Sequence, residues 1–162
     1  MIEPSLYEIF RMHTGRQIDK WEHYFWVYEK HFSKYRGQKV RVLELGVDHG
    51  GSLQMWKRYF GFDAEIIGID INQLSMYEEP QIKTYWMDQT DPKIAELGPF
   101  DIVIDDGSHV LEHQAASFHN LWEYTRGVYL IEDCHKGYPW FTHEPGLVTR
   151  YHWVIVSERP TR

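Results

Sequence analysis

Apolar positions near the start of the chain recur at steps of three and four. Ile18, Trp21, Phe25, Tyr28 and Phe32 share one face of "IDKWEHYFWVYEKHF", so the spacing predicts an amphipathic helix ending near Arg36-Gly37. That face reads first as core packing, with a lid or substrate wall as its second use. From residue 40 the pattern changes to short β-rich runs: "VRVLELGV", "AEIIGIDIN", "IKTYWMD", "FDIVIDDG" and "GVYLIEDC". Their near-continuous apolar character suits parallel strands covered on both faces. The stretches between them, "GSLQMWKRYFG", "DPKIAELG" and "VLEHQAASFHNLWEYTRG", are long enough for crossover helices. The pattern predicts an α/β fold with an open, doubly wound, Rossmann-like sheet. A loop rich in Gly, Pro and aromatics follows, and then "RYHWVIVSE" as a sixth strand.

At 162 residues the chain is expected to form one domain, with residues 1–37 a helical segment and 40–162 the α/β core. An aromatic share of 16% supplies the buried area that sets a folded chain apart from a disordered one. A formal charge of −7 with no basic block argues against nucleic acid or anionic lipid as partner and favours small neutral or cationic ligands. No apolar run approaches the roughly 20 residues of a membrane span, and "MIEPSLYEIF" lacks the build of a secretion signal. A cytoplasmic protein is expected. Cys134 is the one cysteine, so no internal disulfide forms.

In such a sheet, ligands collect outside the carboxyl ends of the strands. After the first strand, Gly46, Gly50, Gly51 and Ser52 form a turn whose backbone can approach a ligand closely. Its spacing, G-x-x-x-G-G-S, differs from the G-x-G-x-x-G of dinucleotide folds, which favours a smaller anion such as a carboxylate and disfavours a nicotinamide oxidoreductase. Asp70 ends the second strand, where an acid accepts the hydroxyls of a ribose. Asp88 and Gln89 end the third; they either read an adenine edge or belong to an N-cap before "PKIAEL".

Asp105, Asp106, Glu132 and Asp133 end the fourth and fifth strands, which are neighbours in this architecture. Four crowded carboxylates call for a cation, and an all-oxygen set favours Mg²⁺ over Mn²⁺ or Ca²⁺. The alternative is that one or two of them cap helices or bind a ligand amine. His109, three residues after Asp106, suits a general base. His109 and His113 also have a helical zinc spacing, which requires both to lie inside one helix. Cys134-His135 reads as incidental rather than as a thiol nucleophile. The chain holds ten histidines, and His13, His23, His31 and His119 are read as surface or structural.

"VLELGVDHGGSLQMW", "IIGIDIN", "FDIVIDDGSHVLEHQAASF" and "GVYLIEDCH" together resemble the class I S-adenosylmethionine-dependent methyltransferases. More narrowly they resemble the macrocin, mycinamicin and rhamnosyl O-methyltransferases, over about Lys20 to Arg162. The resemblance implies that the Gly46–Ser52 turn holds the methionyl part of S-adenosylmethionine, Asp70 its ribose and Asp88-Gln89 its adenine. It also implies that Asp106, Glu132 and Asp133 bind Mg²⁺, that His109 is the base, and that Asp105 faces the methionyl ammonium. Glu44, inside the first strand, is expected to organise the turn by accepting its backbone amides, directly or through water. The implied activity is Mg²⁺-dependent methylation of a hydroxyl on a small-molecule acceptor, a sugar or vicinal diol of a natural product. The alternative is a binding protein that keeps the cofactor pocket without turnover.

Class I sheets usually carry seven strands, the last two an antiparallel pair. Six are readable here, so part of the C-terminal hairpin is expected to be missing and the exposed edge to be short or covered by a partner chain, including a second copy. The loop from Lys136 to Thr149, with Tyr138, Trp140 and Phe141, is read either as what remains of an acceptor wall or as a surface loop.

Overall fold

The computed structural model describes residues 3–134 and 147–160. Five parallel strands form the centre of an eight-stranded sheet: β1 (Arg41–Leu45), β2 (Glu65–Asp70), β4 (Ile82–Trp86), β5 (Phe100–Asp105) and β6 (Thr125–Ile131). β3 (Glu78–Glu79) pairs antiparallel with β4 at one edge. β7 (Leu147–Arg150) and β8 (Ile155–Glu158) form an antiparallel hairpin at the other, giving the order β3-β4-β2-β1-β5-β6-β8-β7.

The expectation of a missing strand is therefore corrected. What reads as one strand, "RYHWVIVSE", contains a turn at Tyr151–Val154, where the Tyr151 amide donates to the Val154 carbonyl. No Gly, Pro, Asn or Asp marks that turn. Trp153 takes the left-handed backbone instead, at φ +63. Its carbonyl accepts from the Cys134 amide at 2.8 Å, which ties the hairpin to the end of β6.

Helices cover both faces. On one side α1 (Leu6–Arg11), α2 (Phe25–Phe32) and α3 (Gly51–Phe60) bury Tyr28, Phe32, Trp56 and Phe60 against Val42, Ile102 and Val128. On the other, α4 (Leu111–Leu121) sets Phe118 on Leu43, Val103 and Tyr129. The run "DPKIAELG" makes only a short 3₁₀ stretch, Pro92–Leu97, capped by Asp91. α1 starts at a capping box, Ser-x-x-Glu, formed by Ser5 and Glu8.

The helical stretch ends near Arg36-Gly37 as expected, α2 running on into a 3₁₀ turn over Ser33–Tyr35, but its start differs. α2 begins only at Phe25, after one 3₁₀ turn over Glu22–Tyr24, and residues 17–21 leave the helix to cross the carboxyl ends of the strands. Tertiary contacts override the periodicity there: the Gln17 carbonyl accepts from the Gly51 amide at 3.2 Å, and the Arg16 amide donates to Gln54.

Candidate active site

The ends of β1, β2, β4, β5 and β6 surround a cleft of about 510 Å³, within the range of small-ligand sites. Gly46, Val47, Asp48 and Ser52 line it from β1, Asp70 from β2, Asp88 and Gln89 from β4, Asp106 to His109 from β5, and Glu132 and Asp133 from β6. Residues Gln17 to Trp21 close the remaining side. The indole of Trp21 is more than half exposed and lies edge-on to Trp153 at 6.1 Å, so an aromatic corner stands at the cleft mouth.

On the β1–β2 side most polar groups already serve the protein. Asp70 accepts the Val47 and Asp48 amides through Oδ2, at 2.8 and 3.0 Å, and the Asn72 amide through Oδ1 at 2.7 Å. It clamps the loop after β1 while still facing the cleft. Asp88 accepts the amide and hydroxyl of Thr90, and these bonds hold its carboxyl below the ordinary value. Gln89, expected at an adenine edge, directs its amide nitrogen to Asp105 and Ser117 and accepts the Ser108 amide, so it braces the loop after β5.

Gly50 and Gly51 do not line the cleft, contrary to expectation. A side chain on Gly50 would strike the Tyr77 ring, and one on Gly51 the carbonyls of Arg16 and Gln17. The missing side chain makes room for the Tyr77 ring at Gly50 and for the crossing segment at Gly51, rather than for a ligand. Glu44 is fully buried, but its partners are side chains rather than loop amides: Ser52 Oγ at 2.6 Å, Trp56 Nε1 at 3.1 Å and Lys20 Nζ at 3.0 Å. Ser52 and Trp56 sit on the first turns of α3, so Glu44 organises the helix that follows the loop.

Asp105 and Asp106 part company because successive strand residues point to opposite faces. Asp105 turns away from the cleft and is wholly buried beside Gln89, so it does not face a ligand ammonium. Burial pushes its carboxyl up to about 7. Asp106 turns toward the cleft. Its Oδ2 accepts from Lys20 Nζ at 2.6 Å, and its Oδ1 lies 3.9 Å from His109 Nε2. Asp133 Oδ2 is 3.5 Å from the same nitrogen, and Asp133 Oδ1 accepts from the Tyr24 hydroxyl at 2.6 Å. His109 and Asp133 both hold left-handed backbone, at φ +56 and +55, conformations that non-glycine residues keep only where the surroundings fix them.

One donor atom each of Asp106, His109 and Asp133 lies within 4.8 Å of the others, which fits a divalent cation. Glu132, expected as a ligand, is not in this cluster. It is buried, and its Oε1 accepts from Lys20 Nζ at 2.8 Å. Burial pushes both Glu132 and Asp106 up, and the Lys20 ammonium pulls them back. Burial alone would lower Lys20, but Asp106, Glu132 and Glu44 outweigh it and hold the ammonium well above its ordinary value. The zinc reading fails on geometry: His109 precedes α4, and His113 Nδ1 bonds Ser108 Oγ at 2.9 Å.

Lys20 and Tyr24 were not legible as site residues, since Lys20 falls on the polar side of the helical pattern. The signal was one of charge. The buried strand acids needed a countercharge, and a lysine can supply it as well as a metal ion. The Lys136–Thr149 reading falls largely outside the described residues, and His135 lies outside them too.

Five parallel strands closed by an antiparallel hairpin, with a ligand cleft over glycine and acidic strand ends, define a class I methyltransferase fold. The chain is a relative of the macrocin, mycinamicin and rhamnosyl O-methyltransferases. It is 44% identical to the demethylmacrocin O-methyltransferase of Streptomyces fradiae, over 90% of its own length and 39% of that enzyme's. It is 43% identical to the mycinamicin VI 2''-O-methyltransferase of Micromonospora griseorubida, over 74% of its length and 32% of that enzyme's. Among solved structures, the MycE methyltransferase of the mycinamycin pathway, in complex with Mg, SAH and mycinamycin VI, superposes with a TM-score of 0.80 at 32% identity, covering 97% of this chain and 54% of that one. The chain thus spans well under half of these two curated relatives. No family model matches it. Among the described residues no helix is long and apolar enough to cross a membrane.

Proposed function

We propose that this chain binds S-adenosylmethionine and, with Mg²⁺, transfers its methyl group to a hydroxyl of a small-molecule acceptor, a sugar or vicinal diol of a natural product. The observation that carries the reading is the gathering of Asp106 Oδ1 and Asp133 Oδ2 around His109 Nε2 in the same cleft that Gly46, Val47, Ser52 and Asp70 line. Relatives named as O-methyltransferases, one of them an 8-demethyl-8-alpha-L-rhamnosyl tetracenomycin-C 2'-O-methyltransferase, and a structural neighbour solved with Mg and SAH, support it.

The donor set supports both groups: Asp106 and Asp133 offer hard oxygen donors in a half-buried setting that suits Mg²⁺, and Asp70 and Asp88 line the cleft as acceptors that a nucleoside's hydroxyl and amino groups could use. When bound, Mg²⁺ supplies Lewis acidity that lowers the pKa of a coordinated hydroxyl. Asp106 and Asp133 would hold Mg²⁺, leaving the His109 imidazole to take up the proton of the acceptor hydroxyl as general base. The oxygen forms a bond to the methyl carbon as the carbon–sulfur bond breaks, leaving S-adenosylhomocysteine. Trp21, at the mouth, offers a flat apolar face to a pyranose ring, and the segment from Gln17 to Trp21 limits water access.

Calorimetric titration with S-adenosylhomocysteine, with and without Mg²⁺, combined with methyl transfer to a panel of glycosylated acceptors, tests the reading. Tight binding with Mg²⁺-dependent product formation is the expected result. Absence of binding sinks it, and binding without transfer to any acceptor reduces the chain to a cofactor-binding protein.

A further inference from the structure

Asp106 and Asp133 each present one oxygen to the cleft and commit the other to a donor behind it. For Asp106 that donor is the Lys20 ammonium at 2.6 Å, and for Asp133 it is the Tyr24 hydroxyl at 2.6 Å. The remaining oxygens, Oδ1 and Oδ2 respectively, are the ones that face His109 Nε2. A carboxylate anchored at one oxygen cannot rotate freely about its Cβ–Cγ bond, so the anchors decide where the other oxygen points. Both come from one short stretch, Lys20 to Tyr24, which precedes the sheet and crosses its carboxyl edge. Lys20 also holds Glu132 at 2.8 Å and Glu44 at 3.0 Å, so the same ammonium neutralises the buried glutamates on either side of Asp106.

We propose that Lys20 and Tyr24 are positioning residues of the metal centre, an outer shell that sets the orientation of Asp106 and Asp133 before a cation arrives. The proposal rests on the Mg²⁺ reading above and assigns a metal-organising role to the segment ahead of the first strand. Outer-shell partners of this kind orient ligands, and their loss usually costs about 10- to 100-fold in metal affinity. Lys20 permits a sharp test because two roles predict opposite signs. If it acted only as a nearby positive charge, its removal would relieve repulsion and tighten metal binding. If it holds Asp106 in place, its removal weakens binding.

The experiment is titration of the apoprotein with Mn²⁺, a paramagnetic substitute for Mg²⁺, with free ion followed by electron paramagnetic resonance. Wild type, Lys20→Met and Tyr24→Phe are compared, alongside S-adenosylhomocysteine affinity in the absence of metal and circular dichroism. Both variants should bind Mn²⁺ about tenfold or more weaker than wild type, and Tyr24→Phe, whose hydroxyl lies outside the cleft lining, should keep its S-adenosylhomocysteine affinity. Tyr24→Phe removes a single hydroxyl and carries the test if Lys20→Met, which uncovers three buried carboxylates, fails to fold. Unchanged affinity in Tyr24→Phe, or tighter binding in Lys20→Met, overturns the proposal. A wild-type protein that binds no Mn²⁺ overturns the metal reading itself, which is a different result.

Discussion

Gly46 stands against the backbone of Asp106: a methyl group on its Cα would lie 2.1 Å from the Asp106 carbonyl oxygen. The loop after β1 and the loop after β5 are thus in direct backbone contact, and Gly46 holds φ +92, where other residues are strained. Gly46→Ala should therefore lower stability by about 2 kcal/mol or more in urea denaturation. It should also weaken S-adenosylhomocysteine binding and Mn²⁺ binding together, since one displacement moves both loops. A variant of normal stability that binds both would show that the contact can relax freely.

His109 lies between the two aspartates, with its side chain partly open to the cleft. Replacement by Ala should cut methyl transfer by about a hundredfold to ten-thousandfold, the usual worth of a general base. S-adenosylhomocysteine affinity should stay close to wild type. Turnover that survives the change would remove the imidazole from its assigned role.

Trp21 makes a prediction that separates acceptor from donor. Trp21→Ala should raise the KM for a glycosylated acceptor by about tenfold, through loss of aromatic contact area, and leave the affinity for S-adenosylhomocysteine nearly unchanged. A change in donor affinity alone would place the indole over the cofactor instead.

Asp105 governs a dependence of stability on pH. Its buried carboxyl keeps a proton to about pH 7, whereas in the unfolded chain it ionises near the ordinary value of about 3.9. The native state therefore binds the extra proton between those values. The contribution to stability is greatest below about pH 4, falls as pH rises to about 7, and is constant above. Asp105→Asn should flatten this decline, on the order of 2–4 kcal/mol across the window, in denaturation curves measured from pH 4 to 8. A variant with the wild-type slope would assign the decline to other groups.

The central sheet was legible because its strands are apolar on both faces and punctuated by glycines and acids, and the ligand end of the sheet followed from its topology. The hairpin was not, because its turn uses Trp153 in place of a turn-forming residue. The strand-end acids were legible as a set but not as individuals. Asp105 and Asp106 are separated by the pleat, and Glu132 is claimed by Lys20, a contact 112 residues apart in sequence. Nothing in the local pattern singles out Lys20; only the assembled fold gives it three carboxylates. Similarly, the glycines of the first loop read as ligand contacts, although Gly50 and Gly51 make room for Tyr77 and for the backbone of residues 16 and 17.

The crossing segment has a consequence for the order in which the molecule assembles. Lys20 leaves the ribosome long before Asp106 and Glu132, which follow 86 and 112 residues later. Until β5 and β6 dock, Glu44 is the only one of its three carboxylates that the ammonium can meet, and Asp106 and Glu132 gain their counterion only on docking. Closing those long loops is slow relative to local helix formation. The carboxyl edge of the sheet should therefore be among the last parts of the protein to become native, and a chain halted before Glu132 would lack both the hairpin that covers β6 and one of the three carboxylates of Lys20.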